Sequence, residues 1–191
     1  MSLITNSEWI LTKNQILAKT KNLLANLQLE QSHILQAAGS KLPAEVLDTS
    51  AKISKGENYQ GLPYLILDYP RLFYKENIFA IRTMFWWGNF FSITLHVSGN
   101  YKIELEQKVM NAFLLLKETG FHFCHNADQW DHHFETNNYK SLKELGKSDF
   151  DTLIKKSSFI KIAHKIPLQQ WNEAEKILEE NFKKLIEIVT D

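Results

Sequence analysis

Metal-binding side chains are concentrated in one short segment of this chain, between residues 122 and 133. The segment holds seven residues of types that bind transition metals: His122, Cys124, His125, Asp128, Asp131, His132 and His133. Imidazole, thiolate and carboxylate together suit zinc, nickel or non-haem iron. The segment therefore suggests a divalent transition-metal site, and a metal-dependent enzyme, with His122, His125 and either His132 or His133 as ligands.

The spacing of these residues matches no established metal motif. The chain contains no H-E-x-x-H, no paired C-x-x-C and no deaminase signature. It also lacks a G-x-S-x-G elbow, a P-loop and a G-x-G-x-x-G fingerprint. Histidines also gather on surface loops without binding metal, so a solvated loop is the alternative interpretation. The sequence leaves open whether the protein is an enzyme.

A second group of candidate residues lies on a predicted aromatic β-hairpin over residues 78–97. Two runs rich in β-branched and aromatic residues are separated by Gly88-Asn89, and both of these residues tolerate positive φ. This pair is a typical two-residue hairpin turn. A turn of that length places Trp87 opposite Phe90 and determines which side chains share a face.

This register predicts two unlike faces. One face is nearly all apolar, carries the single charge of Arg82 and should pack against helices. The other combines Trp87 and further aromatic rings with Thr94 and His96, a mixture that resembles the lining of small-molecule pockets. The alternative is a half-solvated face covered by the N-terminal helices or by a second copy of the chain, because cross-strand aromatic and threonine pairs also stabilise sheets.

The chain has only two arginines, Arg71 and Arg82. A buried arginine needs a partner, and Asp68, at the end of the preceding strand, is the nearest carboxylate in this topology. Arg82 and Asp68 could form a structural ion pair, or Arg82 could bind an anion together with Arg71. The candidate ligand-binding residues are therefore Arg71, Arg82, Trp87, Thr94 and His96.

Apolar residues at helical spacing predict helices at both ends of the chain. The first begins after a cap at Asn6 or Ser7, and the last covers about 171–189. The segment 39–61, rich in Ser, Lys and Gly, is predicted to be a loop. Gly120 stands where a glycine commonly ends a helix. Further helices are predicted over about 30–38, 100–119 and 148–157.

Short apolar runs predict strands at 62–69, 78–87, 90–97, 121–125 and 159–166. The two hairpin strands must be antiparallel, and helices separate most of the others. We therefore expect an α+β fold: an antiparallel or mixed sheet of about five strands, with helices packed mainly on one face and an N-terminal helical segment. The chain is expected to form a single domain over 1–191, with N-terminal helices in 1–40 and an α+β core in 62–191.

The composition limits the classes of partner. The chain has 191 residues, 22 basic and 22 acidic side chains and a formal net charge of zero. This balance argues against nucleic-acid binding and against electrostatic docking on anionic membranes. A single cysteine excludes an intramolecular disulfide, and no signal peptide is expected, because the N-terminal residues have no basic region and no long apolar run. A cytoplasmic location is expected.

The leading hypothesis is a module that binds a small ligand or another protein through the aromatic face of the hairpin. In the second case a homodimer is the simplest assembly. The first alternative is the metal-dependent enzyme that uses segment 122–133. The second alternative is a structural partner protein that engages through its amphipathic N-terminal helix.

Overall fold

The computed structural model describes residues 5–191. The expectation that the N-terminus carries no signal peptide also covers residues 1–4, and these four residues lie outside the described part of the chain. In chain order the helices and strands are α1 (Ser7–Ala38), α2 (Ala44–Leu47), β1 (Lys52–Tyr59), β2 (Leu62–Tyr74), β3 (Asn77–Trp86), β4 (Phe90–Ser98), α3 (Asn100–Asn111), α4 (Phe113–Glu118), β5 (His122–Cys124), β6 (Tyr139–Ser141), α5 (Lys147–Lys156), β7 (Phe159–Pro167) and α6 (Trp171–Thr190).

Within residues 5–191 the strands form one antiparallel sheet of seven strands, in the order β1-β2-β3-β4-β7-β5-β6. The predicted α+β class is confirmed, but the expected number of about five strands is too low. β1 lies in the segment 39–61, for which the sequence predicts a loop, and β6 has three residues. Both are edge strands, where a polar sequence is tolerated, so neither carries a recognisable apolar pattern.

The helices cover one face of this sheet, as the predicted architecture requires. Phe79 and Phe85 on β3 and Phe91 on β4 point to that face and share one buried core with residues of α1, α3 and α6. Each fully buried aromatic side chain contributes about 2 kcal/mol through removal of apolar surface from water. On the opposite face, Trp86 packs with Phe134, which comes from the segment between β5 and β6.

The central hairpin differs from the predicted register by one residue. Trp86, and not Trp87, pairs with Phe90, so the turn contains the three residues Trp87-Gly88-Asn89. Gly88 has a φ of +69°, a left-handed conformation that suits three-residue hairpin turns. The prediction that Trp87 faces Phe90 is therefore wrong, and the β3 side chains point to the face opposite the predicted one, whereas the apolar β4 side chains face the helices as predicted.

The observed register buries the apolar side chains of both strands together. Seven of them point toward the helices: Phe79, Ile81, Phe85, Phe91, Ile93, Leu95 and Val97. Arg82 consequently lies on the same face as Thr94 and His96. The predicted separation of an apolar face with one arginine from an aromatic face with hydroxyls is wrong, because the length of the turn decides which faces coincide.

The N-terminal helical segment is one helix, α1, rather than the two helices that the sequence predicts. The predicted cap is confirmed, since the Asn6 side chain accepts a hydrogen bond from the Trp9 backbone N–H at 3.1 Å. The first turns of α1 carry apolar side chains in water: Trp9 is 47% exposed and Leu11 59%. In the described part of the chain, no helix has the length and apolar content needed to cross a membrane.

Gly120 ends α4 as the sequence predicts, with a φ of +79°. Its N–H donates to the Lys117 carbonyl at 3.2 Å, and the Phe121 N–H donates to the Leu116 carbonyl at 3.0 Å. These two bonds form a Schellman motif, which satisfies the last carbonyls of the helix. The predicted long helix before Gly120 is interrupted at Ala112, between α3 and α4.

We expect Gly120→Ala to lower the free energy of unfolding by about 1 kcal/mol, because alanine is disfavoured in the left-handed region. Steric contact adds little, since the nearest atom to a Cβ at this position is His164 Cε1 at 3.7 Å. Urea denaturation followed by circular dichroism measures the change. Gly120→Asn is the control and should lose less, because asparagine tolerates positive φ. An alanine variant as stable as the wild type would contradict this account.

Candidate functional site

Residues 125–138 connect β5 to β6 without a helix or strand, and we call this segment the strap. The strap lies over the sheet face that the helices leave uncovered, where it contacts side chains of β1, β3, β4 and β7. Its backbone is held partly by Tyr59, whose hydroxyl oxygen accepts the N–H groups of His132 at 2.7 Å and His133 at 3.0 Å. Where a segment without regular structure becomes buried, as at His133, its backbone groups need such side-chain partners.

Arg82 forms a two-pronged ion pair with Asp68 on the neighbouring strand. Its Nε donates to Asp68 Oδ1 at 2.7 Å and its Nη2 to Oδ2 at 2.9 Å. Its Nη1 lies 3.0 Å from Nε2 of His132 in the strap. Because a guanidinium has no acceptor, that ring nitrogen must accept the bond, and His132 is neutral in this contact. The geometry favours the structural ion pair over a free anion-binding arginine.

Lys161 on β7 is 1% exposed and lies under the strap. Its Nζ donates to the backbone carbonyls of Gln129 and Asp131, at 3.0 Å in the first case. Among residues 5–191 it has no carboxylate within ion-pair distance. Burial, with the nearby charge of Arg82 as a smaller cause, lowers the pKa of Lys161 to about 8. This ammonium therefore relies on the strap for its acceptors.

His96 on β4 is buried directly opposite Lys161 in the sheet. Its Nε2 lies 2.9 Å from Oε1 of Gln129 in the strap, and its ring packs against Trp130 and Phe159. Burial and, to a smaller extent, the charge of Lys161 lower the pKa of His96 to about 4. The imidazole is therefore neutral at physiological pH.

The structure brings three of the five predicted ligand-binding residues, Arg82, Thr94 and His96, to the face beneath the strap. Trp87 lies in the hairpin turn and packs against Phe85 on the helix-covered side, with ring centres 5.6 Å apart. Arg71 has a different neighbour, since its Nε donates to the Ser50 carbonyl at 3.4 Å. The five residues do not line one pocket.

The four predicted metal ligands have separate partners. His122 packs on Phe134, His125 Nε2 lies 2.9 Å from the Thr136 carbonyl, His132 contacts Arg82, and His133 Nε2 lies 3.7 Å from Asp131. Within residues 5–191, no group of three or more His, Cys, Asp or Glu side chains is placed to hold a metal ion. The geometry gives the metal-enzyme hypothesis no support.

A cleft of about 540 Å³ opens at the turn end of the hairpin, on the strap side of the sheet. The paired residues Trp86 and Phe90 form its floor, with ring centres 5.4 Å apart. The strap supplies the wall His133-Phe134-Glu135, and Phe134 packs on Phe90 with ring centres 5.1 Å apart. Lys165 on β7 completes the rim, with Nζ 5.4 Å from the centre of the Phe134 ring.

Sequence reasoning missed this cleft because it depends on the register of the hairpin. The two-residue turn assigned the site to Trp87, whereas the observed turn places its neighbour Trp86 beside Phe90. The signal that pointed to the region was the run of aromatic residues around Gly88. Nothing in the local sequence indicates that Phe134 and Lys165, which are far along the chain, meet these rings.

Comparison of the chain with family models, with curated proteins and with solved structures gives no match. Function is therefore argued from the geometry of the strap and the cleft.

We expect Arg82→Met to lower the free energy of unfolding by about 3 kcal/mol, because Asp68 is left as a buried, unpaired carboxylate. Asp68→Leu should cost a similar amount, because it leaves the guanidinium unpaired. The double variant should recover most of the loss, since no buried charge remains without its partner. Urea denaturation at neutral pH of the four proteins gives the double-mutant cycle. Strictly additive losses would contradict the ion pair as the role of Arg82.

Proposed function

We propose that the protein binds a small aromatic ligand that carries an anionic group, and that the ligand lies in the cleft over Trp86 and Phe90. The observation that carries the proposal is the combination of aromatic walls with a cation at the rim that contacts the Phe134 ring and has no carboxylate partner among the described residues. Lys165 is exposed, and no carboxylate within residues 5–191 lies within ion-pair distance of its Nζ. The hypothesis of a ligand-binding hairpin is kept, with the site moved by one residue.

The size and walls of the cleft suit a small flat molecule. Its volume of about 540 Å³ lies within the range of about 300–1,000 Å³ that is usual for small-molecule pockets. The rings of Trp86, Phe90 and Phe134 meet edge to face. An added aromatic ring gains both apolar contact and a favourable offset or edge-to-face geometry against such rings.

The polar groups of the cleft set the orientation of the ligand. Lys165 attracts an anionic group, while Glu135 on the strap repels it, so the charge of the ligand should lie toward β7.

The test compares two probes of the same shape, 2-naphthoate and the neutral 2-naphthamide, by isothermal titration calorimetry. Lys165→Gln should weaken naphthoate binding by about fivefold, the size expected for an exposed charge pair of about 1 kcal/mol. The same change should leave naphthamide binding unaltered. Glu135→Gln is the matched control, and it should strengthen naphthoate binding or leave it unchanged.

Two results would reject this proposal. One is an equal loss of affinity for both probes in the Lys165→Gln variant, because the ammonium would then not distinguish the anionic probe from the neutral one. The other is the absence of binding of either probe at millimolar concentration to the wild-type protein at neutral pH.

As a second candidate function we propose self-association through the start of α1. The observation that favours it is the presence of three exposed apolar side chains in the first two turns, Trp9, Ile10 and Leu11. The same helix borders an apolar groove of about 380 Å³ that Ile16, Trp87 and Trp171 help to line. Exposed apolar surface of this kind is typical of protein–protein contact sites. A homodimer would bury it without requiring a different partner.

Sedimentation velocity tests this candidate. The wild-type protein should sediment as a dimer at micromolar concentration, and the double variant Trp9→Ser/Leu11→Ser should sediment as a monomer, because the apolar contact is lost. Leu29→Ser is the control, since Leu29 is also exposed, at 60%, on the same helix but away from its start. A wild-type monomer at all concentrations would rule out self-association.

A further inference from the structure

The strap is fastened to the sheet around one buried imidazole. His96 reaches the strap through Gln129 Oε1, and the carbonyls of Gln129 and Asp131 are held by Lys161, which pairs directly with His96 across the sheet. Directly opposite residues of an antiparallel pair have Cβ atoms about 5 Å apart. The ring of His96 therefore shares the interface between sheet and strap with a buried ammonium.

The charges around His96 disfavour its protonation, because the imidazolium would be a third positive charge at this interface. Lys161 faces it from β7 and Arg82 faces it from β3, while the partner supplied by the strap, Gln129, is neutral. The further titratable groups of this interface are Asp68 on β2, Tyr59 on β1, Cys124 on β5, Tyr139 on β6, and Asp128, Asp131, His132 and His133 in the strap. Asp68 is already engaged by both prongs of Arg82, so it offers His96 no compensating charge.

We infer that the strap is an acid-released gate: protonation of His96 expels residues 125–138 from the sheet face and opens the surface beneath them. The charged imidazole is tolerated only when water reaches it, and water reaches it only when the strap lifts. The closed state is fully favoured above the ordinary histidine pKa of about 6.5. It loses stability as the pH falls below that value toward the pKa of about 4 that His96 has in the closed state.

The chain contains its own reporter of this opening. Cys124 is its only cysteine, is fully buried at the end of β5, and donates through Sγ to Asn138 Oδ1 of the strap at 3.2 Å. Phe134 of the strap packs on the same cluster as Cys124. An alkylating reagent can therefore reach the thiol only after the strap lifts or the protein unfolds.

The experiment measures the rate of Cys124 alkylation across the pH range and divides it by the rate for the denatured protein at the same pH. The division removes the pH dependence of the thiol itself. Between about pH 7.5 and about pH 5, linkage to His96 should raise the normalised rate by up to about thirtyfold. The His96→Gln variant, which keeps a hydrogen-bonding side chain but does not titrate, should show a clearly smaller rise, and what remains is the contribution of His132, whose ring accepts a hydrogen bond from Arg82. His33→Gln, an exposed histidine on α1, is the matched control and should behave as the wild type.

Three results would overturn the gate. The first is a normalised rate that stays flat with pH in the wild-type protein, and the second is an unchanged rise in His96→Gln. The third is a rise that is fully explained by loss of global stability, measured by urea denaturation at each pH. Hydrogen exchange gives an independent reading, since amides of the strap should lose protection at pH 5 while those of β4 keep it.

The gate has a consequence for ligand binding, and this consequence rests on the proposed function. The strap supplies the wall His133-Phe134-Glu135, so the opened protein lacks one side of the cleft. Affinity for 2-naphthoate should fall with acid in the wild type and fall less in His96→Gln. If naphthoate does not bind at neutral pH, the proposed function fails, while the alkylation of Cys124 still decides whether the gate exists.

Discussion

The strap side of this protein depends on one constraint, the need of the buried Lys161 ammonium for hydrogen-bond acceptors. An ammonium without acceptors is not tolerated in a protein interior. In the described chain the acceptors are the carbonyls of Gln129 and Asp131, which come from the strap and not from the sheet. The path of the strap over the sheet therefore follows from the position of this side chain on β7, next to the centre of the sheet.

Other contacts of the strap also satisfy polar groups that would otherwise lack hydrogen-bond partners. A segment without helix or strand leaves its backbone groups to be satisfied one by one, here by Tyr59 and by the side chain of Asn138, whose Nδ2 donates to the His133 carbonyl. The interface is consequently polar and charged, whereas the helix-covered side is an apolar core. The positive charges are compensated unevenly, because Arg82 has the carboxylate of Asp68, while Lys161 has two carbonyl dipoles and the face of the Tyr139 ring. A further positive charge at this interface is therefore costly.

The cleft arises where these two kinds of packing meet. At the turn end of the hairpin, the sheet contributes Trp86 and Phe90, and the strap contributes Phe134 just after its polar anchors. The wall of the cleft belongs to the strap, so its position depends on the contacts that hold the strap on the sheet. A site built in this way combines a rigid floor on strands with a wall that responds to the state of neighbouring charges.

Local rules on the sequence determined the α+β class, the position of the hairpin, the Asn6 cap, the Gly120 helix end and the choice of Asp68 as partner of Arg82. Each of these depends on residues that are close in sequence or on adjacent strands. Only the tertiary structure decided the hairpin register, because two turn lengths suit Gly88-Asn89 and burial against the helices selects between them. It also decided that Lys161, His96 and Gln129 meet, since hydrogen bonds between residues more than thirty positions apart leave no periodic trace in the sequence.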